Sequence, residues 1–170
     1  MSGSAISKPS GQFASRFGGL WPDRDDAQDV LSQRLESGRI TPEDADLIRF
    51  WMANGYVILP NAASAQVIDA AAANIDLMYA NPYRLLENFE TGRSVIVPTE
   101  PRHRALPHKL LDAYAFSAKV RSAVFADIIV NFMNLIFDEP ALAFQGLYFE
   151  RGTAQSLHQD TAYVRVSRPM

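Results

Sequence analysis

Apolar positions follow a helical spacing along the chain as far as Phe137 and a two-residue spacing after it. Asp23 to Leu35 predicts a short, charged helix closed by Ser37-Gly38. The next element carries the clearest local signals. Thr41 is a good N-cap, Pro42 suits the first helical position, and Glu43 and Asp44 complement the positive end of the helix dipole. Leu47, Ile48, Trp51 and Met52 supply its buried stripe, and Asn54-Gly55 stops it. Tyr56-Val57-Ile58-Leu59 then predicts a short buried strand ended by Pro60. A further amphipathic helix is predicted from Ser64 to Tyr79, with Val67, Ile68, Ala71, Ala72, Ile75 and Met78 on one face.

Asn81 to Pro107 is rich in turn formers, including Pro82, Pro98, Pro101 and Pro107. A long irregular stretch inside a domain is more often functional, or a lid, than idle. Two helices follow, Pro107 to Tyr114 and Ser117 to Phe137, the second breaking near Ala126-Asp127. Val120, Val124, Ile128, Ile129, Phe132, Leu135 and Ile136 give that second helix a broad apolar face, read as core. After Asp138-Glu139-Pro140 the pattern becomes strand-like. Leu142 to Phe149 is one strand, Arg151-Gly152 turns the chain, and Ala162 to Val166 is a second strand. Helices first and strands last predict an α+β arrangement. Two or three strands make no stable closed sheet alone, so the sheet reads as cut short at Met170.

Composition narrows the chemistry. The chain is 48% hydrophobic and 21% charged, ordinary for a globular domain. Sixteen basic against 19 acidic residues leave a net charge of −3, which provides no broad footprint for nucleic acid. There are no cysteines, so disulfides, zinc ribbons, iron–sulfur clusters and thiol nucleophiles are all excluded. A metal would have to sit on nitrogen and oxygen, and only three histidines exist. No apolar run reaches the roughly 20 residues that span a bilayer, and no secretory pattern opens the chain, so a cytoplasmic protein is expected. Residues 1–40 are expected to be a partly disordered tail with one short helix, Phe13, Phe17 and Trp21 pinning the tail to the domain or docking a partner.

His158-Gln159-Asp160 is the informative tripeptide. In an extended segment residues two apart share a face, so His158 and Asp160 can reach one metal ion while Gln159 points away. An imidazole and a carboxylate are two of the three ligands of the facial triad that holds non-haem iron(II) with open positions. An exposed loop pair, or a histidine held by its neighbouring aspartate, is the bland alternative. Gln145 is a polar residue amid Leu142, Phe144, Leu147 and Phe149 and needs a partner, which a cross-strand hydrogen bond would supply.

The run from Gln145 to Tyr163, with Leu157-His158-Gln159-Asp160 at its centre, resembles the phytanoyl-CoA dioxygenase family of iron(II)/2-oxoglutarate-dependent oxygenases. Phe50 to Pro60, a helix running into Gly55-Tyr56-Val57, resembles that family's opening. The likeness covers residues 41–170, matching the middle only in helical pattern, and makes this the N-terminal portion of such a domain, truncated at its C-terminus. It implies N-terminal helices packed on a double-stranded β-helix, a jelly-roll-like barrel of which only the first strands are present. It implies oxidative decarboxylation of 2-oxoglutarate to succinate and CO2, coupled to hydroxylation of a small or acyl-type substrate. Iron(II) would be held by His158, Asp160 and a distal histidine, and the co-substrate carboxylate by a later arginine. Neither of those last two has a counterpart here: only Arg165 and Arg168 follow, and neither stands at the family's place.

The resemblance also gives Gln145 a substrate or co-substrate contact and Arg151 a hand in holding 2-oxoglutarate, against a solvated turn arginine as the alternative for Arg151. His103 and His108 read as solvated loop or helix-start residues, with a lid or substrate contact as the alternative. Two other classes of function fit the sequence: a non-catalytic interaction or scaffold protein retaining half the fold, and a different metal enzyme on a cupin-like barrel. No membrane or nucleic-acid partner is expected.

Overall fold

The computed structural model of the chain describes residues 11–13, 19–82, 85–88 and 95–151. The helices are α1 (Ala27–Glu36), α2 (Pro42–Asn54), α3 (Ala65–Ala80), α4 (Ala113–Phe116), α5 (Ala118–Val124) and α6 (Asp127–Phe137). The strands are β1 (Leu85–Asn88), β2 (Val95–Pro98), β3 (His108–Leu111) and β4 (Leu147–Tyr148), with 3-10 turns at Trp21–Asp23 and Pro101–Ala105. The protein is therefore mixed α+β, as its sequence predicts. Its contacts divide it into two units, one built from residues up to Leu59 with Asn131–Ala141, the other from Pro60–Val130 with the segment from Leu142.

The first unit is helical. In α2 the hydroxyl of Thr41 accepts from the Asp44 N–H at 3.1 Å while the Asp44 carboxylate accepts from the Thr41 N–H at 3.0 Å. This reciprocal cap satisfies donors that a helix start leaves open. Gly55 ends α2 in the left-handed region at φ 75°, where a side chain would be strained. Ala45 and Ile48 of α2 join Val30 and Leu31 of α1, Trp21, Ile40, and Phe132 and Ile136 of α6 in one core. Trp51 meets Phe132 edge-on at 5.8 Å between ring centres. Burying an aliphatic side chain of this size stabilises by about 1.5–3 kcal/mol. Trp21 is buried and its indole N–H donates to the Leu135 carbonyl at 2.7 Å. It anchors the N-terminal segment as expected, while Phe17 lies outside the described residues. The guanidinium of Arg34 lies over the Trp21 ring and pairs with Asp138 at 3.0 Å. Burial pulls its pKa down and Asp138 opposes the shift.

Tyr56 to Leu59 departs from expectation. It forms no strand, and Tyr56 and Ile58 are exposed while Val57 and Leu59 pack on the core. The two-residue alternation is there, but no neighbouring strand among the described residues turns it into a ladder.

The second unit sets α3 and α5 against an antiparallel sheet of order β2-β1-β3-β4. Ser64 caps α3, its hydroxyl accepting from the Val67 N–H at 3.3 Å. Ile75, Met78 and Tyr79 of α3 meet Leu86 of β1, Leu110 of β3 and Val120 of α5 in a second core. Thr99, fully buried, donates its hydroxyl to the Met78 carbonyl near the end of α3.

Three expectations change in this unit. Strands β1 and β2 lie within the stretch read as irregular, paired Leu85↔Pro98 to Asn88↔Val95. The predicted helix from Pro107 is strand β3, its residues alternating buried and half-buried, and only Ala113–Phe116 is helical. The predicted strand from Leu142 shrinks to Leu147–Tyr148, with Leu142 and Phe144 exposed. The break near Ala126-Asp127 is found where expected, between α5 and α6. Of the apolar face read there as core, Val120, Phe132 and Ile136 are buried, whereas Val124 and Ile128 are exposed.

Candidate functional site

His158, Asp160 and Tyr163 lie outside the described residues, as does the predicted strand from Ala162 to Val166. The other two residues singled out are described. Gln145 is exposed and precedes β4 rather than lying on it. Arg151 is exposed at the bend after Glu150.

The two upstream histidines are not solvated. His103 is 3% exposed, and its Nδ1 accepts the Glu100 N–H at 3.0 Å inside the Pro101–Ala105 turn. His108 is 6% exposed on β3. Its Nδ1 stands 2.7 Å from the Leu106 carbonyl oxygen. A carbonyl can only accept, so Nδ1 carries a hydrogen, and in the neutral ring Nε2 is left as the acceptor. The Tyr79 hydroxyl bonds to that Nε2 and is therefore the donor. Burial pushes the Tyr79 phenol far above its ordinary range, with Glu150 adding to the shift, so it stays a neutral donor. Both ring nitrogens of His108 are thus engaged, and a metal could use neither without displacing Tyr79 or Leu106. Among the described residues no group of three or more His, Asp or Glu could hold a metal ion.

Sequence reasoning missed a polar cluster in the second unit. Arg104, on the Pro101–Ala105 turn, pairs with Asp76 of α3 through one terminal nitrogen. Its other terminal nitrogen lies 2.6 Å from the Glu150 Oε1 and its Nε 3.1 Å from the same oxygen. The second oxygen of Glu150 accepts from the Tyr148 hydroxyl at 2.9 Å. The guanidinium also lies 5.0 Å from the Tyr79 ring centre. Burial alone would raise Glu150, but the bonds from Arg104 and Tyr148 outweigh it and hold the carboxyl below its ordinary range. Tyr148 is raised, first by burial and then by its bond to Glu150. Arg104 is raised by its two carboxylate partners. Beside the cluster lies a cavity of about 490 Å³, lined by apolar Ile75, Val124, Tyr114 and Leu147 and by Asp76 and Arg104. The one local signal for this arrangement was Tyr148 and Glu150 two apart in a strand-like run, hence on one face.

The fixed fork of Arg104 with two carboxylates is a positional clamp rather than a reactive group, since its charge is already satisfied on both sides. No single helix among the described residues is long and apolar enough to cross a membrane. Comparison of the chain with protein-family models, with curated proteins and with solved structures finds no match.

Proposed function

We propose that the chain is part of a non-haem iron(II)/2-oxoglutarate-dependent dioxygenase that hydroxylates a small or acyl-type substrate, with a fold of the phytanoyl-CoA dioxygenase kind. The observation that carries this reading is His158-Gln159-Asp160 set between the Gln145 segment and Tyr163. Helix α2 and its left-handed glycine stop at Gly55 fall where the sequence likeness places the helix of that opening, although Tyr56–Leu59 forms no strand. The sheet of the second unit, backed by α3 and α5, is compatible with the first strands of a jelly-roll-like barrel. His158 and Asp160 would hold iron(II), which when bound activates oxygen with 2-oxoglutarate as the electron donor. Gln145 and Arg151 are both exposed and free of the Arg104 cluster, so each is available to a bound carboxylate. His103 and His108 are committed to the turn and to the Tyr79 contact, so neither is proposed as a ligand.

Two protein ligands hold iron(II) less firmly than three, so turnover by these residues is expected to be weak or absent. The test is incubation of the iron-loaded chain with 2-oxoglutarate in air. Little or no succinate is the expected result, with iron(II) uptake that His158→Ala loses; ready succinate release abolished by His158→Ala would overturn the expectation of weak or absent turnover.

A further inference from the structure

Three large apolar side chains from three separate elements converge on the cavity of the second unit and are left exposed there: Ile68 of α3, Val124 of α5 and Leu147 of β4. Single apolar residues scattered over a surface need no explanation, but their convergence on a concave site does. At about 490 Å³ the cavity is large enough for a small molecule, for which about 300–1,000 Å³ is usual. One side of it is a face of α3. Ile68, Ala72, Ile75 and Asp76 recur there at helical spacing and so lie one above another. Ala72 is small and exposed, which leaves the space beside the helix open.

The facing wall is formed in advance. The Tyr114 ring meets Phe125 edge-on at 5.5 Å between ring centres. It also lies against the backbone of Gly146, where a Cβ would come within 2.7 Å of it, so only a glycine admits the ring this closely. Gly146 is held in turn by Asp112. Its N–H donates to the Asp112 carboxylate at 2.7 Å, and its carbonyl accepts from the Asp112 N–H at 2.8 Å. A wall already in place lowers the ordering cost of binding.

Polar groups enter the lining at Asp76, Arg104 and Tyr148. One oxygen of Asp76 is taken by Arg104, and the other has no partner among the described residues. Glu150 accepts from both Arg104 and Tyr148. This edge therefore sets two carboxylates against one guanidinium, an excess of negative charge. An ammonium group complements that excess, whereas a carboxylate would meet like charge. We propose that the cavity binds a small amphipathic amine, its apolar body between α3, α5 and Tyr114 and its ammonium group on the open oxygen of Asp76. Such binding involves residues from Ile68 to Glu150 and no metal, so it stands or falls apart from the oxygenase reading.

Octylammonium, 1-octanol and octanoate share one apolar chain and differ in the head, which makes them suitable probes. Calorimetric titration of the full chain at low salt should show saturable one-to-one binding of octylammonium. Octanoate should bind at least about fivefold more weakly, the scale of one exposed ion pair. Asp76→Asn removes the charge and keeps an acceptor for Arg104. It should weaken octylammonium by about fivefold and leave octanol unchanged. Ala72→Phe fills the cavity from an exposed helix position, so it should abolish binding of both while the melting temperature stays near that of the wild type. No saturable binding of octylammonium, or equal affinities for the three probes, would overturn the proposal. So would octylammonium binding that is indifferent to Asp76→Asn or to Ala72→Phe.

Discussion

Glu150 has two carboxylate oxygens and both are taken, one by Arg104 and one by Tyr148. Its carboxyl is held below the ordinary glutamate range, burial opposing and the two hydrogen bonds prevailing. A group with a lowered folded-state pKa stabilises fully above its unfolded value, and that stability disappears as pH falls through the folded value. The unfolded value is about 4.3. The contribution of Glu150 should therefore be complete above about pH 5 and lost on further acidification. Glu150→Gln has no charge to lose, so its melting temperature should fall less steeply below pH 5 than that of the wild type. Parallel acid limbs for the two proteins would show that the cluster does not bind the proton differently in the folded state. None of this was legible in the sequence, because Asp76, Arg104 and Glu150 are far apart along the chain and only the fold brings them together. The same holds for His103 and His108, whose burial among turn and sheet residues no local pattern announced.

Elements with local signals were the readable ones. Helix α2 carries its own instructions in Thr41, Pro42, Asp44 and Gly55, and it begins and ends where those residues say. Gly55 sits at φ 75° with open space around it, so Gly55→Ala tests conformational strain alone. It should cost about 1 kcal/mol, the penalty of a left-handed L-residue, and lower the denaturant midpoint without changing the slope of the transition. An unchanged midpoint would mean that the helix end relaxes into another geometry. Strand β3 shows the opposite case. His108-Lys109-Leu110-Leu111 has too few residues to distinguish a strand from one helical turn, and pairing with β1 decides it. Strands β1 and β2 were hidden in a proline-rich stretch, although Val95-Ile96-Val97 is a β-branched run that fits a pleated surface. Tyr56 to Leu59 failed in the other direction. It has the composition of a strand, but Ile58 is 71% exposed and nothing among the described residues pairs with it.

At the scale of the whole molecule, the proposal rests on a helical first unit, a second unit of helices on an antiparallel sheet, and the His158-Gln159-Asp160 tripeptide. That the chain mixes helices with strands was legible, but the expected order of helices first and strands last was not what forms. Strands β1, β2 and β3 precede α4, and after Phe137 only Leu147–Tyr148 is strand among the described residues. Pairing partners and not local period decide short strands. The proposed chemistry rests on His158 and Asp160, a matter of residue type and spacing, whereas the Arg104 cluster and the buried histidines are matters of tertiary contact. The described residues add a boundary to that proposal: His103 and His108 are engaged in the Pro101–Ala105 turn and the Tyr79 contact. The most direct test is anaerobic titration of iron(II) into the purified chain, with Asp160→Ala as its counterpart. The account predicts saturable uptake by the wild type that the variant loses. Equal uptake by both proteins would contradict it.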